Sequence, residues 1–172
     1  VRHQGLARPR GRGGLFGRRG YYVFRRAPTN REAWDVGHAG GPEGAVITAS
    51  VQTACRGRAG HSWHSERTAG IDATILVRPR VAPVQAPLLT MMAGLSARAA
   101  VQSATGLSVD LKWPNDLMTS GKKLGGILTE MHAEPSQVRF VIVGIGINVN
   151  QQRFPVELAG RRPSLRRETG RM

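Results

Sequence analysis

The sequence has little cysteine, few aromatic residues and no long apolar run. Cys55 is the only cysteine among 172 residues, which excludes an internal disulfide and a zinc site built from several cysteines. His61 and His64 have a spacing that could reach one metal ion, but no third ligand is obvious nearby, so a loop role is the better interpretation. The composition predicts a protein of a reducing, cytoplasmic compartment.

The most apolar stretch, residues 81–101, is too polar to cross a membrane. It contains four residues that are costly in hydrocarbon: Gln85, Thr90, Ser96 and Arg98. The arginine-rich N-terminus has no apolar segment behind it, which is not the pattern of a secretory signal. We therefore expect a soluble protein without a membrane partner.

Acidic residues are scarce, with 11 against 25 lysines and arginines and a formal net charge of +14. Such an excess usually indicates a nucleic-acid partner, because a basic surface gains affinity by releasing phosphate counterions. The excess lies at the ends, since residues 1–31 hold nine arginines and no acid, and residues 153–172 hold six arginines and two acids. Residues 32–152 carry ten basic and nine acidic residues, so the region with a globular pattern is nearly neutral.

Lysine is rarer still. The chain has 22 arginines but only three lysines, and Lys112, Lys122 and Lys123 fall within twelve residues. A chain that otherwise uses arginine for its cations and keeps lysine here indicates that a compact ammonium group is needed. Chance clustering is the alternative.

Residues 1–20 are dominated by Arg and Gly. We expect them to be disordered, because this composition buries too little surface to offset its ordering entropy. Residues 21–172 are expected to form one domain. An RNA-binding protein that uses residues 1–20 and 161–172 as Arg/Gly tails is the alternative from another functional class.

Two helices are predicted. Thr29-Asn-Arg-Glu32 matches a capping box and would begin a helix that runs to about His38. A second helix is predicted over Pro83–Thr105, closed by Gly106. One face of it would pack in the core, through Leu88, Met91, Met92, Leu95 and Ala99.

Six segments have the composition of strands, namely 45–50, 74–77, 109–113, 117–119, 123–131 and 138–143. Ser120-Gly121 predicts a hairpin turn between the fourth and the fifth of them. Several strands with few helices predict an α+β domain, in which helices pack on a mixed sheet.

A loop over residues 52–61 has residues suited to a phosphate. Two arginines flank Gly57, so guanidinium groups and backbone amides could surround an anion. An ordinary Arg/Gly surface loop is the alternative.

Two later segments also suit a nucleotide. The break at Pro114 would place Asn115 and Asp116 at the end of a strand, where they fit Mg²⁺ or a ribose, with an ordinary turn as the alternative. In residues 121–127 a lysine begins a strand whose two glycines permit a close approach of a ligand. Solvated lysines at a hairpin tip are the alternative there.

These segments resemble the signature of biotin protein ligases. The family pattern is Gly-Arg-Gly-Arg-x-Gly, Lys-Trp-Pro-Asn-Asp, Lys-Leu-x-Gly-Ile-Leu and Gly-Ile-Gly-Ile-Asn-Val-Asn. Its last three parts match Lys112–Asp116, Lys123–Leu128 and Gly144–Asn150 without an exception, and four ordered segments are far more specific than one motif. The likeness runs from about Thr29 to Glu168. It implies the α+β fold of biotin/lipoate ligase catalytic domains, which is similar to that of class II aminoacyl-tRNA synthetases.

The resemblance also implies roles for single residues. Lys123 and Arg58 would be catalytic. Biotin would be bound by Thr29, Asn30, Gln52, Arg56, Gly57, Arg58, Trp63 and Lys123. ATP would be bound by Arg56, Arg58, Lys112, Asn115, Asp116 and Asn148, and Asp116 would help to hold Mg²⁺.

The implied activity has two steps, in which biotin and ATP form biotinyl-5'-AMP and biotin then passes to a lysine of another protein. That partner would be the biotin carboxyl-carrier protein or domain of acetyl-CoA carboxylase. A homodimer is a further expectation. The sequence has no N-terminal helix-turn-helix pattern, so no DNA-binding domain is expected.

The chain departs from the family pattern at the ligand site. Cys55 stands at the first glycine of the phosphate loop, Pro28 at the serine of Ser-Thr-Asn, and Asp72 where an aromatic residue is usual. The family also continues into a C-terminal β-barrel domain, so we expect residues 21–172 to be an incomplete catalytic domain. An inactive, truncated relic and a lipoate ligase are the alternatives within this fold.

Overall fold

The described part of the chain forms an eight-stranded sheet with helices on both of its faces. A computed structural model describes residues 4–5, 20–23, 28–49, 57, 63, 66–156 and 162–171. The strands are β1 (Gln4–Gly5), β2 (Gly20–Val23), β3 (Val46–Ala49), β4 (Gly70–Val77), β5 (Asp110–Lys112), β6 (Asp116–Thr119), β7 (Lys122–Ala133) and β8 (Val138–Asn148). The helices are α1 (Thr29–His38), α2 (Pro87–Thr105) and α3 (Leu165–Thr169), with a 3₁₀ turn at Pro83–Gln85.

The sheet has the order β1-β2-β3-β4-β8-β7-β6-β5. Strands β2 and β3 are parallel, and all other neighbours in the sheet are antiparallel. The predicted α+β class with a mixed sheet is confirmed. Its longest strands, β7 and β8, lie next to each other near the centre and carry the family-like segments.

Strand β8 is buried on both faces because each face packs against a different helix. Phe140 and Ile142 form one core cluster with Ala33 of α1. Val141 and Val143 form another with residues at the start of α2. Successive side chains of a strand point to opposite faces, so α1 and α2 cover opposite sides of the sheet.

The predicted strands are confirmed, and several are longer than their apolar runs. Strand β4 begins at Gly70, four residues before the predicted start, because it pairs with β8 as far as Asn148. The predicted hairpin turn joins β6 to β7, where Ser120 and Gly121 adopt positive φ values of 48° and 70°. Two successive positive φ values match the right-handed twist of the flanking strands.

The predicted core face of α2 is wrong. Leu88, Met91, Met92 and Leu95 are about half exposed, whereas Gly94, Ala97 and Val101 are buried. The helix is apolar around much of its circumference, so periodicity does not decide which side faces the sheet. Small residues decide which side of α2 faces the sheet, since Gly94 lets the helix lie against Leu111 and Ile127.

The predicted capping box of α1 is also wrong. Pro28 is the N-cap residue and makes no side-chain capping bond, and Thr29 is already the first helical residue. Its hydroxyl hydrogen-bonds to Thr74 on β4 instead, at 2.7 Å. The helix ends at His38, as predicted.

Part of the two predicted tails has a fixed place in the fold. Gln4–Gly5 pair with Tyr22 and Tyr21, and the remaining residues of 1–19 lie outside the described part of the chain. Residues 162–171 include α3 and pack on the end of β8, with Pro163 and Ser164 buried. The C-terminal arginines within this range therefore belong to the folded domain and not to a tail, and the RNA-binding alternative stays a prediction.

None of the helices in the described ranges is long and apolar enough to cross a membrane.

Candidate active site

One row of residues runs across five strands on the α1 side of the sheet. Lys112 pairs with Asp116, Asp116 with Gly126, Gly126 with Gly146, and Gly146 with Asp72. Residues paired directly across strands project from the same face. Its two central positions are glycines, so the backbone there is low between Asp116 and Asp72, whose strands are three spacings or about 14 Å apart. We call this row, with the side chains that lie over its two glycines, the groove.

Lys123 and Asp116 form an ion pair on one side of this groove. Lys123 Nζ lies 2.6 Å from Asp116 Oδ1, and both side chains are mostly shielded from solvent. The contact lacks hydrogen-bond geometry, and Oδ1 has no hydrogen-bond donor among the described residues. Gly126 lies directly beneath, where a Cβ would come within 3.4 Å of Lys123 Cε. The pair thus holds an ammonium group over the groove floor.

Trp63 and Asp72 occupy the other side. Trp63 Nε1 donates a hydrogen bond to Asp72 Oδ1 at 3.0 Å, and the indole lies on Gly146, where a Cβ would come within 2.8 Å of the ring. Asp72 is buried to 8% exposure. Asp72, the residue that departs from the family pattern, therefore orients Trp63, which the resemblance assigns to biotin binding.

Thr29 and Asn30 meet Thr74 on the next row of the same face. Thr74 Oγ1 lies 2.7 Å from Thr29 Oγ1 and 2.8 Å from Asn30 Oδ1. Asn30 Nδ2 donates to Glu130 Oε2 at 2.6 Å, so its Oδ1 must accept from Thr74. A hydroxyl has one proton to donate, and Thr29 therefore donates to Thr74. The Asn30 carboxamide rests on Gly144, where any Cβ would overlap it.

We expect Thr74→Val to destabilise the protein by about 1–3 kcal/mol, because it removes the hydroxyl that serves both Thr29 and Asn30 in a fully buried position. Urea unfolding measures this change. Thr129→Val is the matched control, since the Thr129 hydroxyl is buried without a partner among the described residues and its loss should be neutral or stabilising. Equal losses from both substitutions would contradict the assigned network.

Asn115 and Asn148 are bonded within the chain. Asn115 Nδ2 donates to the carbonyl of Ile127 at 2.9 Å, which fixes the turn after the cis peptide bond before Pro114. Asn148 is 1% exposed and donates to the carbonyl of Pro163 at 3.1 Å. Their parts in ATP binding stay predictions, and so does that of Lys112, which is exposed on β5 beside Asp116.

Much of the predicted phosphate loop lies outside the described residues. This applies to Gln52, Cys55, Arg56 and Arg58, and to His61 and His64. Gly57 is described and half-buried. The roles of these residues stay predictions.

Three residues at the site were missed by sequence reasoning. Thr74 and Glu130 could have been found from strand alternation, because each lies an even number of residues from another position on the groove face. Arg162 could not be found in this way, because the sequence around it is rich in arginine and does not distinguish one arginine from another. Its guanidinium carbon lies 5.3 Å from the centre of the Trp63 ring.

The described residues contain no cluster of three or more His, Cys, Asp or Glu side chains that could hold a metal ion. Asp116 is therefore not part of a cluster of metal-binding side chains in that part of the chain. Mg²⁺ is often held by one or two carboxylates together with the phosphates of its nucleotide, so Asp116 suits an ion that arrives with a nucleotide.

Comparison with known proteins places this groove in a family. The model of the Biotin/lipoate A/B protein ligase family matches residues 23–148, which include the whole row across the sheet. A bifunctional ligase/repressor BirA of Bacillus spizizenii is 43% identical over 144 residues, which is 83% of this chain and 44% of that protein. The biotin–[acetyl-CoA-carboxylase] ligase of Mycobacterium tuberculosis is 41% identical over 113 residues, or 63% of this chain and 41% of that protein.

The structural comparison agrees. A biotin protein ligase from Aquifex aeolicus, in complex with biotin and ATP, superposes with a TM-score of 0.73 at 32% identity. The match covers 88% of this chain and 61% of the Aquifex chain. The chain spans about two fifths of the length of these two curated relatives.

Proposed function

The chain belongs to the biotin/lipoate A/B protein ligase family, and from this premise we propose that it joins biotin to AMP and passes biotin to a lysine of a carrier protein. The observation that carries the proposal is the Lys123–Asp116 pair over the glycine floor. A fixed ammonium group above a glycine backbone suits a ligand in which an anionic group is joined to an extended small molecule.

In the first step a carboxylate oxygen of biotin attacks the α-phosphorus of ATP. The bond from that phosphorus to the bridging oxygen breaks, and pyrophosphate leaves with the electron pair. Negative charge builds on the phosphoryl oxygens, and Lys123 is held where a preorganised cation can stabilise it without reorganising. Asp116 holds the ammonium group in place over the groove floor.

In the second step the ε-amine of a carrier lysine attacks the carbonyl carbon of biotinyl-AMP. An amide forms, AMP leaves, and the amine gives up one proton. The groove supports this step by holding the acyl-adenylate still, because positioning of the two reactants supplies much of the rate. By the names of its relatives, the carrier is the biotin-bearing part of acetyl-CoA carboxylase.

The two ends of the groove suggest the direction in which the ligand lies. Thr29, Asn30 and Thr74 form a buried network of hydrogen-bonding groups, which suits a neutral, polar ring such as the ureido ring of biotin. Lys123 and Asp116 lie towards β6 and suit the nucleotide. Asp116 would hold Mg²⁺ together with the ATP phosphates, and the ion would supply positive charge to the phosphate groups.

The test is biotin-dependent exchange of labelled pyrophosphate into ATP by the folded protein. We expect exchange that requires biotin and is not supported by lipoate. Exchange with lipoate in its place would favour the lipoate ligase, and no exchange with either acid would overturn ligase activity in favour of the inactive relic. Transfer is then measured as biotin bound covalently to a carrier domain of acetyl-CoA carboxylase.

A further inference from the structure

Arg162 reaches the groove from the C-terminal segment. Its guanidinium lies over Trp63, which itself lies on Gly146 at the floor. Arg162 thus contacts the tryptophan that covers one of the two glycines of the row. An aromatic face attracts a guanidinium and restricts its position, as a ligand-binding arginine requires.

The backbone next to Arg162 is fixed by buried hydrogen bonds. Asn148 Nδ2 donates to the carbonyl of Pro163 at 3.1 Å, and Ser164 Oγ donates to the carbonyl of Gln151 at 2.6 Å. Arg166 N adds a bond to the carbonyl of Val149 at 2.8 Å. These bonds tie the segment to the end of β8, so Arg162 has a defined place relative to the groove.

The charge of Arg162 is not matched by a carboxylate in the described ranges. The ion pairs there join Arg31 to Asp35, Lys123 to Asp116 and Arg139 to Glu134. Burial lowers the pKa of the Arg162 guanidinium, and the nearby charge of Asp116 raises it. Asp116 already pairs with Lys123, which leaves a half-buried cation at the groove that an anionic ligand would neutralise.

We propose that Arg162 binds the phosphate groups of the nucleotide from above the groove, as a positioning residue that complements Lys123. The inference rests on the proposed ligase function. Phosphate matches the observations because a planar guanidinium can donate two parallel hydrogen bonds to it. The C-terminal segment then contributes directly to the ligand site, although it lies beyond residues 23–148 that the family model matches.

The experiment compares Arg162→Gln with the wild-type protein in biotin-dependent ATP–pyrophosphate exchange. We expect the KM for ATP to rise roughly ten- to hundredfold, the range for loss of a charged hydrogen bond, while the KM for biotin changes less than about twofold. Arg167→Gln is the matched control, because it removes the same charge from an exposed position of the same segment. Its kinetic constants should equal those of the wild type.

The outcomes separate this inference from the proposed function. A wild-type protein without exchange overturns the function itself. An active wild type with an unchanged KM for ATP in Arg162→Gln overturns the role of Arg162, as does a rise in the KM for biotin alone. If Arg162→Gln does not fold, Arg162→Lys replaces it in the test, because lysine keeps the charge and lacks the planar guanidinium. The KM for ATP of Arg162→Lys should rise several-fold, and an unchanged value contradicts the proposal.

Discussion

Lys123→Ala is expected to lower the rate of biotin-dependent ATP–pyrophosphate exchange by roughly 10²–10³-fold, the usual cost of losing one preorganised charge at a reacting centre. The ammonium group lies 2.6 Å from Asp116 over the groove floor and is already in position before the substrates arrive. Lys122→Ala is the control, because Lys122 is the exposed neighbour in sequence and forms no ion pair within the described part of the chain. Its rate should stay close to that of the wild type.

A second substitution separates catalysis from folding. Lys123→Ala leaves Asp116 as a shielded carboxylate without its cation, which costs stability in its own right. Asp116→Asn in the same chain removes that charge, so the double variant should regain thermal stability but not activity. Recovery of exchange in the double variant would show that Lys123 serves only to neutralise Asp116.

Phe140→Ala is expected to destabilise the domain by about 3–5 kcal/mol, measured by urea unfolding. Phe140 is 2% exposed and contacts three other rings, those of Trp34, His38 and His132. Its ring also fills the space beside Gly37, so α1 would lose its main support on the sheet. Because α1 carries Thr29 and Asn30, biotin affinity should fall in the same variant.

Met92→Ala is the control for that measurement and also tests the corrected face of α2. Met92 is 60% exposed, so the change in unfolding free energy should stay within about 0.5 kcal/mol. A loss comparable to that of Phe140→Ala would mean that the outward face of α2 is buried in solution.

Strands β3 to β8 could be predicted from the sequence because their signals are local. Apolar content and turn residues located β7 and β8, and the glycine-containing motifs lie on those same strands. The packing side of α2 could not be predicted this way. Its apolar residues occupy more than one face, and the closest approach to the sheet is decided by Gly94 and Ala97 rather than by the larger side chains.

The details of the site depend on pairing between distant strands. Asp72 departs from an aromatic pattern in sequence, and only the register that places it opposite Gly146 makes it the partner of Trp63. The same holds for Thr29, whose local context predicts a helix cap but whose hydroxyl bonds to β4. The position of Arg162 depends on a third long-range contact, the hydrogen bond between Asn148 and the carbonyl of Pro163.

Because successive side chains of β8 point to opposite faces, the stability of the domain and the shape of the groove depend on different residues of this strand. Its odd-numbered positions from Val141 to Ile147 lie on the α2 side and contribute to packing, whereas Gly144 and Gly146 face the groove. A mutant library that varies only Gly144, Gly146, Asn30 and Trp63 would change the shape of the groove without altering the apolar layer beneath α2. Selection for a biotin analogue of different size could then proceed with little loss of the domain's resistance to unfolding.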